Sequence, residues 1–278
     1  MVIDFHVHPV RWPEVTPDFE RFLAQAWDRD ELVAVQAECG TGPGLAAYLR
    51  SCGVDRAVVL AEVNALTGRM DNQSLLELCR GQDMLIPFGT LNFRRDMDMP
   101  AVLAGLVSDG VRGIKLYPTY EYFYPNDPML YPFYAKAQEL GVPVMLHTGS
   151  SVFPGSRIKY GNPLFLDDVA VDFPGLTLVL SHAGRPIWYA EAEFMARYHE
   201  NVYLDIAGLP PKNLLTYLPN ADRLSHKLIF GSDWPGDRTI ERNIEAVRRL
   251  PLPPAAIEGI LFGNAAKILR VAPVANDT

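Results

Sequence analysis

The chain has no basic cluster. Its 25 Lys and Arg are outnumbered by 33 Asp and Glu, giving a net charge of −8. No stretch gathers positive charge as nucleic-acid-binding surfaces do, so nucleic acid is not an expected partner. Long apolar runs are missing too. None approaches the roughly 20 residues needed to span a bilayer, and a membrane is not an expected partner either. The first residues lack a basic segment followed by an apolar core, so no signal peptide is expected. Cysteine is scarce: Cys39, Cys52 and Cys79 share no CxxC spacing. An odd count without a framework implies reduced thiols and a cytoplasmic protein. The Gly-rich phosphate turn of nucleotide-binding open sheets is also absent, because the first apolar strand ends in HVHP.

What is present is repetition. Short, apolar, β-branched runs recur as VIDFHVH (2–8), RAVVLAE (56–62), LIPFGTLN (85–92), VRGIKLYP (111–118), PVMLHTG (143–149), TLVLSHAG (177–184), NVYLDIAG (201–208) and KLIFGSDWP (227–235). Charges are few before their C-terminal ends, as in parallel strands buried on both faces. Helix-like segments lie between them. Several end in glycine directly before the next strand, at Gly53-Val54, Gly110-Val111 and Gly141-Val142, where a left-handed cap costs little. Eight strand–helix units predict an α/β fold, a (β/α)8 TIM barrel. Two irregularities accompany it. Residues 9–53 form an insertion after strand one, with a helix-like FERFLAQAW suited to a lid, and PAAIEGILFGNAAKILR adds a helix after the eighth unit. With no internal linker, residues 1–278 read as one domain.

Side chains alternate along a strand, so Asp4, His6 and His8 are expected on the inner face, with Ile3, Phe5 and Val7 toward the surrounding helices. Further polar residues end later strands: Glu62, Asn92, Lys115, His147, His182, Asp205 and Asp233. Active sites of barrels are built at that end. A single strand-end histidine is usually a satisfied packing residue. Four histidines and an aspartate converging on one rim are harder to satisfy by packing, since buried polar groups need partners. A divalent cation serves several imidazoles and a carboxylate at once, and this donor set suits zinc.

With these residues in place, the chain resembles the metal-dependent amidohydrolase superfamily, in its amidohydrolase-related (family 2) branch of hydrolases and decarboxylases. DFHVHP, GIKLYP, VMLHTGS, LVLSHAG, NVYLDIAG, IFGSDWP and LFGNAAKIL carry the likeness from residue 4 to about 270. The resemblance implies one metal ion held by His6, His8, His147 and Asp233. Asp233 would also handle the proton of the metal-activated water, and His182 would face the substrate, polarising a carbonyl or moving a proton. A two-metal variant would use a carboxylated Lys115 as bridge; Lys115 is read instead as a charged inner-wall or substrate group. The implied reaction is hydrolysis of a small-molecule amide, ester or lactone. Decarboxylation within the same fold is the alternative, followed by a metal-free lactonase or a non-catalytic barrel. Arg185 is expected to pair a substrate carboxylate or to fix its own loop. Tyr117, Trp12 (beside Arg11) and Trp234 are expected near the mouth. The tyrosines of 117–125 are expected to wall a planar substrate or simply to pack their loop. Asp205 and Asp4 read as structural, with Asp4 backing a ligand imidazole. His199 and His226 read as solvated. Relatives of this kind often pair, so a homodimer is compatible.

Overall fold

The computed structural model describes residues 1–10 and 15–272. Eight parallel strands follow one another around a single sheet: β1 (Ile3–Val7), β2 (Arg56–Leu60), β3 (Leu85–Gly89), β4 (Gly113–Leu116), β5 (Val144–His147), β6 (Leu178–Ser181), β7 (Val202–Asp205) and β8 (Leu228–Ile229). Helices run outside them, as the strand–helix repeat requires. The sheet closes where the chain beyond β8 meets β1. Phe5 N donates to Phe230 O at 2.9 Å, Asp233 N to His6 O at 2.9 Å and His8 N to Trp234 O at 2.8 Å. Gly53, Gly110 and Gly141 all adopt positive φ, as their place after helices demands.

Two apolar layers hold the barrel. Outside, residues such as Val59, Leu116, Leu146, Leu180 and Leu204 meet the helices. Inside, Ile3, Phe5, Val58, Leu60, Ile86, Phe88, Met145, Val179, Tyr203 and Ile229 fill the lumen. Phe5 and Phe88 meet edge to face at 5.4 Å there. The expected C-terminal helix is present over 254–269, with a wider turn at Gly259–Gly263. Its Phe262, Ala265 and Leu269 seal the N-terminal end of the lumen.

The inner set corrects the simple alternation expected for β1. Asp4 pairs with Ala57 but Val7 pairs with Val59, so three steps of β1 match two of β2. This bulge shifts the phase of the strand. Below it Ile3 and Phe5 face the lumen; above it His6 and His8 do. Asp4 turns to the seam instead, where its Oδ1 accepts His6 N at 3.1 Å and Ser232 N at 2.9 Å.

The insertion folds as three helices, α1 (Pro17–Ala26), α2 (Arg29–Cys39) and α3 (Gly42–Ser51). Thr16 caps α1 by accepting Phe19 N, Pro17 opens the first turn, and Phe19 and Leu23 are buried. A short antiparallel hairpin, Glu62–Asn64 with Gly68–Met70, follows β2. No helix among the described residues is long and apolar enough to cross a membrane.

Candidate metal centre

At the C-terminal mouth the strand-end residues meet. His6 Nε2 and His8 Nε2 are 3.0 Å apart, and each lies 3.5 Å from Asp233 Oδ1. One donor atom from each of these three residues lies within 4.8 Å of the others, close enough to share an ion. The ring of His6 is 4.9 Å from that of His182, and the ring of His182 is 4.8 Å from that of His147.

Each imidazole is oriented by a partner on its far side. His6 Nδ1 is 2.6 Å from Asp205 Oδ2. With Asp205 ionised, Nδ1–H donates to it and the Nε2 lone pair points into the mouth. His8 Nδ1 is 3.0 Å from Glu62 Oε2, somewhat out of line for a full hydrogen bond. His182 Nδ1 donates to Ala207 O at 2.9 Å, which leaves its Nε2 as an acceptor. His147 Nε2 donates to Ser150 O at 3.1 Å. His147 thus stands beside the His6–His8–Asp233 trio, outside the group of atoms that could share one ion.

The electrostatics keep most of these rings neutral. Burial lowers His6 and His182 well below the usual imidazole value, helped by Lys115 at His6 and by Arg185 at His182. Burial and the Lys115 charge push His147 down to about 3. His8 behaves differently. Burial opposes its charge, but Glu62 and Asp233 outweigh it and raise His8 to about 9. Burial would raise the Asp233 carboxyl, yet His6, His8 and Arg185 hold it well below the usual range. Burial lifts Asp205 to about 7 against the pull of Lys115. Two acceptor nitrogens at 3.0 Å need a positive charge between them. Without a metal one proton supplies it; a divalent ion beside the Asp233 carboxylate would supply it better. The donor set therefore fits a metal.

Backbone strain is concentrated at the same place. His182, Ala183 and Asp233 have φ of 65°, 46° and 65°. Such conformations cost about 1–3 kcal/mol each and persist only when neighbours fix them. Here Thr148 Oγ1 accepts Gly184 N at 3.0 Å and donates to Ser181 O at 2.7 Å. Gly231 has no room for a side chain: a Cβ there would lie 2.4 Å from Asp205 Oδ1 and 2.7 Å from the His6 Cβ.

Above the trio lies a cleft lined by polar groups below and aromatic rings above. Lys115 lines it, fully buried, with Nζ donating to Ser181 Oγ and lying 5.5 Å from the Tyr117 ring centre. Tyr117 spends its hydroxyl on Ala61 O at 2.7 Å and offers its ring. Arg185 Nη1 donates to Gly208 O at 2.7 Å, while Nη2 is 3.7 Å from Asp233 Oδ2. Phe19 and Phe22 of α1 meet Phe153 to form the roof, at 6.0 and 5.2 Å between ring centres.

Not every expected residue arrives. Trp234 is a correction: it is buried, meets the tilted ring of Tyr48 at 5.6 Å and does not line the cleft. Its ring joins the outer apolar layer instead. Trp12 and Arg11 lie outside the described residues. Of the tyrosine-rich loop, Tyr117 and Tyr120 line the cleft, while Tyr122 and Tyr124 pack against Tyr160. Asp205, not Asp4, backs the His6 ring. His199 is not solvated; its Nε2 is 2.7 Å from Asp167 Oδ1 and the residue is buried. Glu62 and Phe153 line the cleft without a site role expected from the sequence, whereas Tyr120 was expected in an aromatic wall and Phe19 and Phe22 lie in the expected lid segment FERFLAQAW. Glu62 carried a signal as an acid closing a strand; Phe153 carried none.

The family model for amidohydrolases matches residues 3–271. The chain belongs to the amidohydrolase family. No curated protein sequence matches it. Among solved structures, it is similar to an uncharacterized TIM-barrel protein from Bordetella bronchiseptica, at 26% identity and TM-score 0.79, covering 97% of this chain and 98% of the other. A probable 2-pyrone-4,6-dicarboxylic acid hydrolase from Acinetobacter baumannii, with citric acid bound, aligns at 18% identity and TM-score 0.69, covering 97% and 99%. A 5-carboxyvanillate decarboxylase from Novosphingobium aromaticivorans, with bound manganese, aligns at 12% identity and TM-score 0.70, covering 98% and 97%.

Proposed function

We propose that this amidohydrolase-family protein is a metal-dependent hydrolase of a small, carboxylated amide, ester or lactone. The observation that carries the reading is the convergence of His6 Nε2, His8 Nε2 and Asp233 Oδ1 on one point. His147, whose ring stands 4.8 Å from that of His182, is the fourth member of the proposed ligand set. A divalent ion held there, zinc by the chemistry of the donors, supplies Lewis acidity and makes a water molecule more acidic. The chain's own residues do the rest. Asp233, kept ionised, accepts the water proton through a carboxylate oxygen and hands it to the leaving group. His182 holds an acceptor at Nε2, because Nδ1–H is spent on Ala207 O, so it takes a proton rather than donating one. Arg185 and Lys115 place two positive charges at the cleft, where an anionic substrate group and a developing oxyanion are favoured.

Decarboxylation is the second reading, and the roof favours it. Phe19, Phe22 and Phe153 give the cleft a dry, aromatic side, which suits a planar acid losing carbon dioxide without consuming water. One experiment addresses both. Protein purified without chelator is assayed for metal and then turned over on small aromatic and lactone carboxylates, with carbon dioxide and ring-opened acid both monitored. About one equivalent of metal per chain is expected, with acid formed and no carbon dioxide. Carbon dioxide release selects the second reading. Activity with no metal overturns both, and near two equivalents revives a carboxylated Lys115. Three free cysteines fit the cytoplasmic setting we assign.

A further inference from the structure

His6 and His8 are both backed by carboxylates, but the two supports are built differently. Asp205 belongs to a barrel strand. Glu62 belongs to the small hairpin, which no barrel needs for closure. Within it, Glu62 Oε1 accepts Asn64 Nδ2 at 2.9 Å and also accepts the Thr67 hydroxyl. Asn64 Oδ1 in turn accepts Leu66 N at 2.9 Å and Thr67 N at 3.1 Å, which fixes the turn. The same turn anchors the lid: Thr16 Oγ1 donates to Leu66 O at 2.7 Å and Thr16 N to Thr67 O at 3.3 Å. One carboxylate oxygen is thus held by two donors, and the other stands 3.0 Å from His8 Nδ1.

We propose that Glu62 is a positioning residue for the metal centre. Its Oε2, 3.0 Å from His8 Nδ1, attracts the Nδ1–H of His8 and so keeps the Nε2 lone pair aimed at the point shared with His6 and Asp233, and the hairpin is the clamp that holds it. The proposal rests on reading the site as a metal centre. Packing alone does not account for a carboxylate here. An apolar residue would fill the same buried space without desolvating a charge. Nor does glutamine reproduce it: whichever way its amide turns, an N–H faces either His8 Nδ1–H or the donors Asn64 and Thr67.

The test is zinc affinity, measured by competition with a chelating dye, beside the melting temperature of the metal-free protein. Glu62→Ala and Glu62→Gln are expected to weaken zinc about 10–100-fold while the metal-free melting temperature stays near that of the native chain. Glu62→Asp is expected to recover part of the loss by restoring a carboxylate. Thr67→Val, which removes one of the two donors to Glu62 Oε1 without touching His8, is expected to weaken zinc less, in the same direction, and decides the matter if Glu62→Ala does not fold. Unchanged affinity in Glu62→Ala or, failing that variant, in Thr67→Val overturns the proposal. So does an affinity loss that only mirrors a fall in metal-free stability. A native chain that takes up no zinc overturns the metal reading itself, and this proposal with it.

Discussion

The two ends of the barrel are made from the same eight strands and do opposite things. At the floor, Phe88, Met145, Val179 and Ile229 pack in one apolar cluster, and Phe262 and Leu269 close the end. At the mouth, a step or two further along the same strands, sit Lys115, His147, Ser181 and Asp205, all buried. The floor gains from burial, about 1.5–3 kcal/mol for each large side chain. The mouth gives part of this back through desolvated charges and positive-φ residues. Stability is thus concentrated where there is no chemistry, and the chemistry sits where the fold is least comfortable. In β1 the change falls within one strand, at the bulge between Phe5 and His6.

The sharpest way to separate the ends is Asp233→Asn. The substitution leaves shape and backbone intact, since asparagine tolerates the φ of 65° that Asp233 adopts. It removes the carboxylate that accepts the proton. Turnover is expected to fall about 10³-fold or more, with the melting temperature unchanged or lowered, because a carboxylate held below its usual range by His6, His8 and Arg185 contributes to stability. Near-native turnover would remove Asp233 from the mechanism and leave the mouth without its proton acceptor.

The complementary change is at the floor. Phe88→Ala deletes a buried ring that meets Phe5 edge to face. A loss of about 3–5 kcal/mol is expected from denaturant melts. Zinc affinity of the folded fraction should stay within about twofold, less than 0.5 kcal/mol. A large change in zinc affinity would show that the floor shapes the mouth, and the contrast would fail.

Much of this division is legible in the sequence. Strands buried on both faces read as continuous apolar runs, so all eight could be placed, and polar residues ending those runs mark the mouth. What escaped has physical causes. The hairpin strands EVN and GRM are too short to show a period. The β1 bulge follows from how β1 meets both β2 and the chain after β8, and one strand's alternation cannot reveal it. That is why the imidazole-backing role expected of Asp4 falls to Asp205: the phase shift turns Asp4 to the seam and leaves the back of the His6 ring to β7. Trp234 follows Asp233 beyond the end of β8, where Asp233 has a φ of 65°, so no strand alternation tells which way it faces. His199 pairs with Asp167, 32 positions away, which only tertiary structure brings together.

A finer probe of the mouth is Arg185→Met. Nη1 is tied to Gly208 O, but Nη2 still faces the cleft beside Asp233. If that edge holds a substrate carboxylate, KM should rise about 10–100-fold, the worth of roughly 1.5–3 kcal/mol for a hydrogen bond to a charged group. The turnover number should change less. Loss in the turnover number alone, with KM unchanged, would assign Arg185 to holding Asp233 instead.

The smallest effect concerns the border between the two chemistries. Glu121 follows β4 in the loop whose Tyr117 and Tyr120 line the cleft. Its Oε1 accepts Asn92 Nδ2 at 3.1 Å, while its Oε2 is buried without a hydrogen-bond partner among the described residues. Burial pushes this carboxyl up from 4.5 to about 8; the Asn92 hydrogen bond opposes the shift and the charges of Asp96 and Glu62 add to it. A raised carboxyl binds its proton more tightly in the folded state. Its contribution is therefore complete below about pH 4.5 and is lost as pH rises through about 8. Glu121→Gln keeps the protonated shape and removes the titration. Melting temperatures of the two proteins, compared from pH 5 to pH 9, should diverge by a few degrees toward the alkaline end, with the variant the more stable. Parallel curves would mean that Glu121 is ionised in the fold, and that the loop beside the cleft tolerates a buried charge as the mouth itself does.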